Sequence, residues 1–409
     1  MEKIKLGVIG YGQRGKGVIK GLIIPHFENV VVTAVCDCYE DRTQKAKADC
    51  DKAYSQNTFA TTDYRQMIDK SLVDCVIIFS AWESHIPVAI DFLNAGIPVA
   101  CEVGGAYSIQ QCWDLVRTVE RTKTKFMFLE NCCYGRKEML CMNMADLGLF
   151  GNIAFCSGAY IHDLRDEIVK GFENRHYRLR NFIGRNCDNY PTHDLGPISK
   201  LLGINYNNRI LTVSSTSSGS WGLADYAEKL GEGYEDLAKT RYSEGDVVVS
   251  NLKCAGGQMI TLTHSTTLAQ PYSRNFTVRG SKGSYFEDTR SVFLDVDHTQ
   301  KDGDHWKNHW NNEEQYYEKY DHPTWKKYNE GGIVGGHGGM DGLVYGDFFE
   351  YVLDKIPCPI NVYDAATWMS ISTLSEQSIA MGGAPLAVPD FTEGKWLMNV
   401  NKKTPLFGM

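Results

Sequence analysis

The sequence predicts an α/β protein built in two stretches, a doubly wound parallel sheet followed by an α+β domain with a largely antiparallel open sheet. Three observations predict it. Short apolar runs alternate with amphipathic stretches over residues 3–131, a glycine turn follows directly on the first run, and from Tyr134 the rhythm changes to closely spaced strand candidates. With 409 residues, 43% of them hydrophobic, the chain is long for one core and sufficient for two.

The first stretch reads in βαβ order: KIKLGVIG, a helical run from Gly15 to Ile24, VVVTAVCD, a helical run from Arg42 to Ala53, DCVIIFS, HIPVAIDFLNAG, IPVACE, a helix around Gln110 to Thr122, and KFMFLEN. Apolar runs bounded by turns and separated by helices are strands of a parallel sheet buried on both faces. That predicts a first domain over residues 1–132 and a second over 133–409. In the second, a helix-like piece ends at Gly148. Strands are expected at IAFCSGAYI, RILTVSSTS, DVVVSNLKC, QMITLTHSTT and NFTVRG, with SYFEDTRSVFLDV as a hairpin. Residues 299–339, rich in Asp, His, Trp, Asn and Gly, show no period and read as an irregular insertion, an active-site loop or an oligomer contact. Helices near Met340 to Leu353 and Ala365 to Met381 precede a proline-containing tail.

The formal charge of -8 comes from acids and bases mixed along the chain, so no basic face is offered to nucleic acid and no polybasic segment to a membrane. A small, neutral or weakly charged substrate fits better. The thirteen cysteines are an odd number without a Cys-x-x-Cys pair, which suits reduced thiols rather than a disulfide framework. The N-terminus MEKIKLGVIGYG lacks a cleavage pattern, and no segment approaches the roughly 18 apolar residues of a membrane span. A cytoplasmic protein is expected, and an open sheet face suggests a homo-oligomer.

Gly10-Tyr-Gly12-Gln13-Arg14-Gly15 follows the first strand and opens the first helix. The glycines allow a tight turn and close backbone approach to a pyrophosphate, and the helix N-terminus supplies amide donors. Asp37 ends the second strand, where a carboxylate accepts from ribose hydroxyls and repels a 2′-phosphate. NAD is favoured over NADP, although Arg42 lies close by. The plainer alternative is that the glycines only make a turn and Asp37 caps a helix. His162-Asp163 and the spacing from His305 to His309 raise the question of a metal, but a third ligand and a helix are missing from the pattern, so no metal is predicted. Trp306, Trp310, Tyr316 and Tyr317 read equally as an aromatic lid or as oligomer packing.

GVIGYGQRG, Trp82-Glu-Ser-His85, Glu102-Val103 and Glu130-Asn131 resemble the Gfo/Idh/MocA oxidoreductase superfamily, with its N-terminal Rossmann domain. Further motifs resemble the family 109 glycoside hydrolases, whose founding activity is α-N-acetylgalactosaminidase. They are Cys133-Tyr-Gly-Arg136, Gly158-Ala-Tyr-Ile-His-Asp-Leu-Arg165, His176-Tyr-Arg-Leu, Asn189-Tyr-Pro-Thr-His-Asp-Leu-Gly-Pro197, Gln270-Pro-Tyr272 and Gly336-His-Gly-Gly-Met-Asp341. The resemblance spans residues 4–381, and Tyr-Pro-Thr-His is its most specific piece. It implies that Arg14 and Gly15 contact the pyrophosphate and Asp37 the ribose, while Trp82, His85, Glu102, Val103 and Asn131 line the nicotinamide side. It places Tyr160, Tyr190, Pro191, Thr192, His193 and Tyr272 around the sugar, with Arg180 nearby and Arg180 and Tyr190 also reaching the cofactor. This chain departs from the pattern at three points. Glu102-Val103-Gly104 replaces the usual Glu-Lys-Pro and its catalytic lysine, Asn189 stands where the dehydrogenases carry an aspartate, and Asp194 stands where glycine is typical.

The resemblance also implies glycoside cleavage by transient oxidation: oxidation of the sugar at C3 with NAD as acceptor acidifies the C2 proton, the C1 substituent leaves by elimination, water adds, and C3 is reduced again. Such a route needs a base near the C3 hydroxyl and a second acid/base near C2. His193 is the candidate base, because imidazole titrates near neutrality and Pro191 suits a helix start; the alternative is a core histidine satisfied by a carbonyl. Tyr160, Tyr190 and Tyr272 are candidate donors, or shuttles for the C2 proton if their pKa values are lowered; among 22 tyrosines, packing is the alternative role. Lys137 and Glu138 are assigned only to a helix start. Two other functions remain on this scaffold: a net sugar dehydrogenase that releases NADH, and a non-catalytic NAD-binding regulator.

Overall fold

The computed structural model describes residues 3–296 and 309–399, so His305 and Trp306 lie outside the described residues. The chain divides into two compact units. Among the described residues, one holds the chain up to Asn131 and takes in Tyr328–Ala366; the other holds Cys132–Lys327 and the chain from Thr367 to Asn399.

The first unit is built on a six-stranded sheet of β1 (Ile4–Ile9), β2 (Val30–Cys36), β3 (Phe59–Thr61), β4 (Cys75–Ile78), β5 (Val99–Cys101) and β6 (Phe126–Phe128). The strands lie in the order β3-β2-β1-β4-β5-β6, every pair parallel. β4 and β5 are buried at every residue, which is why they read as unbroken apolar runs. The order reverses between β1 and β4, the point at which sheets of this class bind ligands outside the carboxyl ends of their strands. The helix expected from Gly15 begins earlier, at Gln13, and passes through a π-helical turn at Ile19–Ile23 before ending at His26. Tyr328–Ala366, expected in the second domain, pack with this unit instead. Long-range contacts decide this: Arg14 pairs with Asp341, Phe27 lies edge-on to Phe349 at 5.1 Å, and the backbone N–H of Phe128 donates to the Ile360 carbonyl.

The second unit carries an eight-stranded sheet of β7 (Ile153–Ile161), β8 (Ile210–Ser217), β9 (Val248–Cys254), β10 (Met259–Ser265), β11 (Thr277–Gly280), β12 (Gly283–Phe286), β13 (Ser291–Leu294) and β14 (Leu386–Ala387). The order is β13-β12-β11-β7-β10-β9-β8-β14, antiparallel throughout except for β7 and β10. That parallel pair sets His264 beside Tyr160 on one face. Short helices that the sequence left unassigned, among them Arg165–Val169, Arg178–Gly184 and Gly222–Leu230, close over Ile168, Leu179, Phe182 and Leu223. The segment expected to be irregular contains two α-helices in its described portion, Glu314–Tyr320 and Pro323–Gly331. They form because Tyr316, Tyr317 and Trp325 are buried, with Trp325 Nε1 donating to the Tyr134 carbonyl at 2.9 Å; of the described aromatics proposed as a lid, Trp310 is exposed and the two tyrosines are not. Among the described residues no helix is long and apolar enough to cross a membrane.

Candidate active site

The three glycines of the first unit's turn divide two tasks between them. Gly10 has φ +96°, and a Cβ there would lie 2.7 Å from the Phe79 carbonyl carbon; at Gly15 it would lie 2.3 Å from the Gly10 oxygen. These two let β1, β4 and the helix start pack closely. At Gly12 a Cβ would meet only Arg42 Nη1, at 3.6 Å, so the space over the first-turn amides stays open for a ligand. Asp37 is buried and accepts from the amides of Tyr11 at 2.7 Å and Tyr39 at 3.0 Å, so it both folds the turn and stands at its edge. Arg42 lies over the Tyr39 ring at 4.9 Å.

Arg14, expected on the pyrophosphate, is paired with two carboxylates in this structure. Its Nε donates to Glu102 at 2.9 Å and its two terminal nitrogens grip Asp341 at 2.7 and 3.0 Å. Tyr345 donates to the same Glu102 oxygen at 2.6 Å, and His337 Nδ1 lies 2.9 Å from Asp341. Burial opposes ionisation of Asp341, yet hydrogen bonds from His337 and Arg14 hold its carboxyl far below the usual range. The Gly336–Asp341 motif, quoted from the sequence without a role, therefore anchors the residue after Gln13.

The residues expected on the nicotinamide side gather beyond the carboxyl ends of β4, β5 and β6, and all are buried: Trp82, His85, Glu102, Val103 and Asn131. A Cβ at position 104 would come 2.4 Å from the Trp82 ring, so Gly104 is what lets the indole lie against the β5 loop. His85 Nε2 lies 2.9 Å from the Ser80 carbonyl, and burial lowers its pKa, which keeps the ring neutral. Asn131 donates to Asp341, while its Oδ1 is buried without a hydrogen-bond partner among the described residues. An open glycine cradle and an unused buried acceptor are features a dinucleotide would satisfy.

In the second unit the predicted sugar residues come together. The Tyr160 ring on β7 lies 4.7 Å from Tyr190, 5.4 Å from His193 and 6.4 Å from Tyr272, and Tyr190 and His193 are 4.7 Å apart. Pro191 precedes the helix Thr192–Leu201, which carries His193 and the buried Thr192. Gly158 on β7 makes this possible, since a Cβ there would sit 2.8 Å from that of Asp194. Asp194 is accordingly buried against the sheet. Arg180 is exposed; the guanidinium over Tyr190, at 5.2 Å, belongs to Arg178, which pairs with Glu167 at 2.8 Å. Arg178 stood within the His176-Tyr-Arg-Leu motif, and burial rather than sequence separates it from Arg180. Burial pushes the phenol of Tyr160 up, so it stays protonated, whereas Tyr272 at the edge of the cluster is exposed. His162 also joins the cluster, 5.2 Å from Tyr272, and its neighbour Asp163 pairs with Arg165 at 2.7 Å.

Behind Tyr160 lies a buried group that sequence reasoning missed. His264 stacks on the Tyr160 ring at 6.4 Å, with Nδ1 3.2 Å from Glu244. Glu244 accepts from the Cys187 amide at 3.1 Å and from Asn189 Nδ2 at 2.8 Å, and Asp188 accepts from the Tyr190 amide at 3.2 Å. The amide at 189 thus serves to hold the segment leading into Tyr190. Lys137 and Glu138 do begin the helix Arg136–Asp146, and they also pair with Glu287 and Arg274.

Residues 134–398 match the family model "Glycosyl hydrolase 109, C-terminal domain", and residues 4–129 match "Oxidoreductase family, NAD-binding Rossmann fold". The chain is 34% identical to an α-N-acetylgalactosaminidase of Tannerella forsythia over 96% of its own length and 87% of the relative's. It is 35% identical to a glycosyl hydrolase family 109 protein of Parabacteroides distasonis, covering 97% and 88%. Among solved structures it resembles levoglucosan dehydrogenase in complex with NADH and levoglucosan, with a TM-score of 0.70 at 18% identity over 95% and 100% of the two chains. Likewise it resembles myo-inositol 2-dehydrogenase from Lactobacillus plantarum, at 0.66 and 17% over 95% and 100%. At such identities the likeness speaks for the fold alone.

Proposed function

Because the chain belongs to glycosyl hydrolase family 109, with an NAD-binding Rossmann domain at its N-terminus, we propose that it hydrolyses α-N-acetylgalactosaminides or related glycosides by transient oxidation at C3. The observation that carries this reading is the convergence of Tyr160, Tyr190, His193 and Tyr272, distant in sequence, on one cluster. NAD, when bound, supplies the reversible oxidation. His193 takes the proton of the C3 hydroxyl and returns it. The protonated phenols donate to sugar oxygens and to the departing C1 oxygen. Arg178, beside Tyr160 and Tyr190, stabilises the negative charge that develops as the proton leaves C2; that proton ends on the departing C1 oxygen, which leaves as the aglycon hydroxyl. Asp194, buried under Gly158, bears on the sugar preference by placing the helix that carries His193.

Purified protein incubated with a panel of aryl and natural glycosides tests the reading, with aglycon release and absorbance of reduced nicotinamide followed together. Aglycon release without accumulating NADH is expected. Stoichiometric NADH would make the protein a sugar dehydrogenase, and neither signal would make it an NAD-binding regulator. His193→Ala and Arg178→Gln are each expected to cost about 100-fold or more in kcat/KM, while Arg180→Gln stays within about threefold.

A further inference from the structure

Asp341 is buried on the first turn of the helix Met340–Val352, and it touches Arg14, His337 and Asn131 at once. Its carboxylate can only accept hydrogen bonds. The amide of Asn131 must therefore turn Nδ2 toward it, at 2.9 Å, and this leaves Oδ1 facing the other way, buried and unmatched. An unmatched buried amide oxygen is costly and points to a donor that arrives with a ligand. Asn131 stands beyond β6, on the β4–β6 half of the sheet, whereas Asp37 beyond β2 marks the adenosine half. The remaining half receives the nicotinamide, whose carboxamide carries the N–H donors that Oδ1 lacks.

We propose that Asp341 is a positioning residue for the nicotinamide end of NAD: by fixing the orientation of the Asn131 amide it presents Oδ1 to the carboxamide. The inference rests on the NAD reading above and adds the residue that prepares the acceptor. Arg14 follows from the same arrangement. With its guanidinium shared between Asp341 and Glu102, it braces the floor of the nicotinamide half, and the diphosphate is left to the backbone amides of the glycine turn.

Isothermal titration of nucleotide-free protein with NAD and with ADP-ribose, which lacks the nicotinamide, tests this without reference to catalysis. In Asp341→Asn the enforced orientation is lost, and NAD affinity is expected to fall by about tenfold or more while ADP-ribose affinity changes by less than about threefold. Asn131→Ala removes the acceptor but leaves the Arg14–Asp341 pair intact, so it keeps the test open should Asp341→Asn fold poorly; the same split is expected. Equal losses for the two ligands, or no loss in either variant, would overturn the inference while leaving the NAD reading standing. A wild type that binds neither ligand would overturn both.

Discussion

His264 and Asp188 carry opposite pH signatures in the same buried group. Burial lowers the pKa of His264 from 6.5 to about 4, so its neutral form is favoured by folding; that contribution is full above 6.5 and lost as pH falls toward 4. Burial raises Asp188 from 3.8 to about 6, so its contribution is present below 3.8 and lost as pH rises through 6. Their neighbours sharpen the picture: His264 faces Glu244, Asp188 and Arg178, and Asp188 faces His264 and Glu244. Replacing His264 by Phe removes the first signature and, because His264 faces Asp188 and lowers its pKa, moves the second further up. Thermal midpoints of wild type and His264→Phe, taken from about pH 7 to about pH 4, are expected to converge as pH falls. A constant gap across that range would mean that the imidazole is not held neutral by the fold. At this same scale, sequence reasoning named Tyr160, Tyr190, His193 and Tyr272 because they lie in compact motifs; it also named Arg180, which the fold leaves exposed, while the arginine over Tyr190 is Arg178. Two arginines on one short helix differ only in which one the fold buries.

At the scale of elements, the helix Thr192–Leu201 and β7 place the proposed base. Their closeness depends on Gly158 having no side chain, since a Cβ would meet both the Cβ and, at 2.9 Å, the carbonyl oxygen of Asp194. Gly158→Ala forces the helix outward or the strand aside at a cost of about 1–3 kcal/mol. Because His193 rides on that helix, kcat/KM is expected to fall by more than about tenfold, with a drop of a few degrees in Tm, when glycoside hydrolysis and thermal unfolding are measured together. Full activity in a destabilised variant would separate the helix from the chemistry. Most strands of both sheets were legible because their apolar runs are local signals, whereas β3 and β14, with three and two residues, are too short to leave one. The short helices Arg165–Val169 and Arg178–Gly184 were not, since they hold too few residues to show a period and are stabilised by burial of Ile168, Leu179 and Phe182 instead.

At the scale of the whole molecule, thirteen cysteines without a disulfide frame leave stability to two apolar cores. Eleven of the thiols are buried, Cys358 is partly so, and Cys38 is exposed. Burial pushes the thiols of Cys50 and Cys112 up to about 12, so they are neither acidic nor accessible. Native protein treated with a thiol-specific chromophore is expected to react at Cys38 and, more slowly, at Cys358, with the remainder titrating only in denaturant. Rapid reaction of several more thiols would mean that the cores open readily. The division of the chain was the least legible feature. The switch at Asn131 is marked by a change of rhythm, but nothing in the composition of Tyr328–Ala366 says that it packs with the first unit.

The sequence by itself determined what depends on neighbours along the chain: the parallel and antiparallel sheets, the glycine turn with its left-handed Gly10, and the motifs that hold Tyr190 and His193. Only the tertiary structure decided that Arg14 is held by Asp341, that His264 stands behind Tyr160 with Glu244, and that the amide of Asn131 keeps one oxygen unmatched. Backbone conformation and periodicity are set within a few residues and leave a local trace. The orientation of a buried polar side chain is set by whichever distant partner the fold brings to it, and for Arg14 and Asp341 that partner lies 327 positions away.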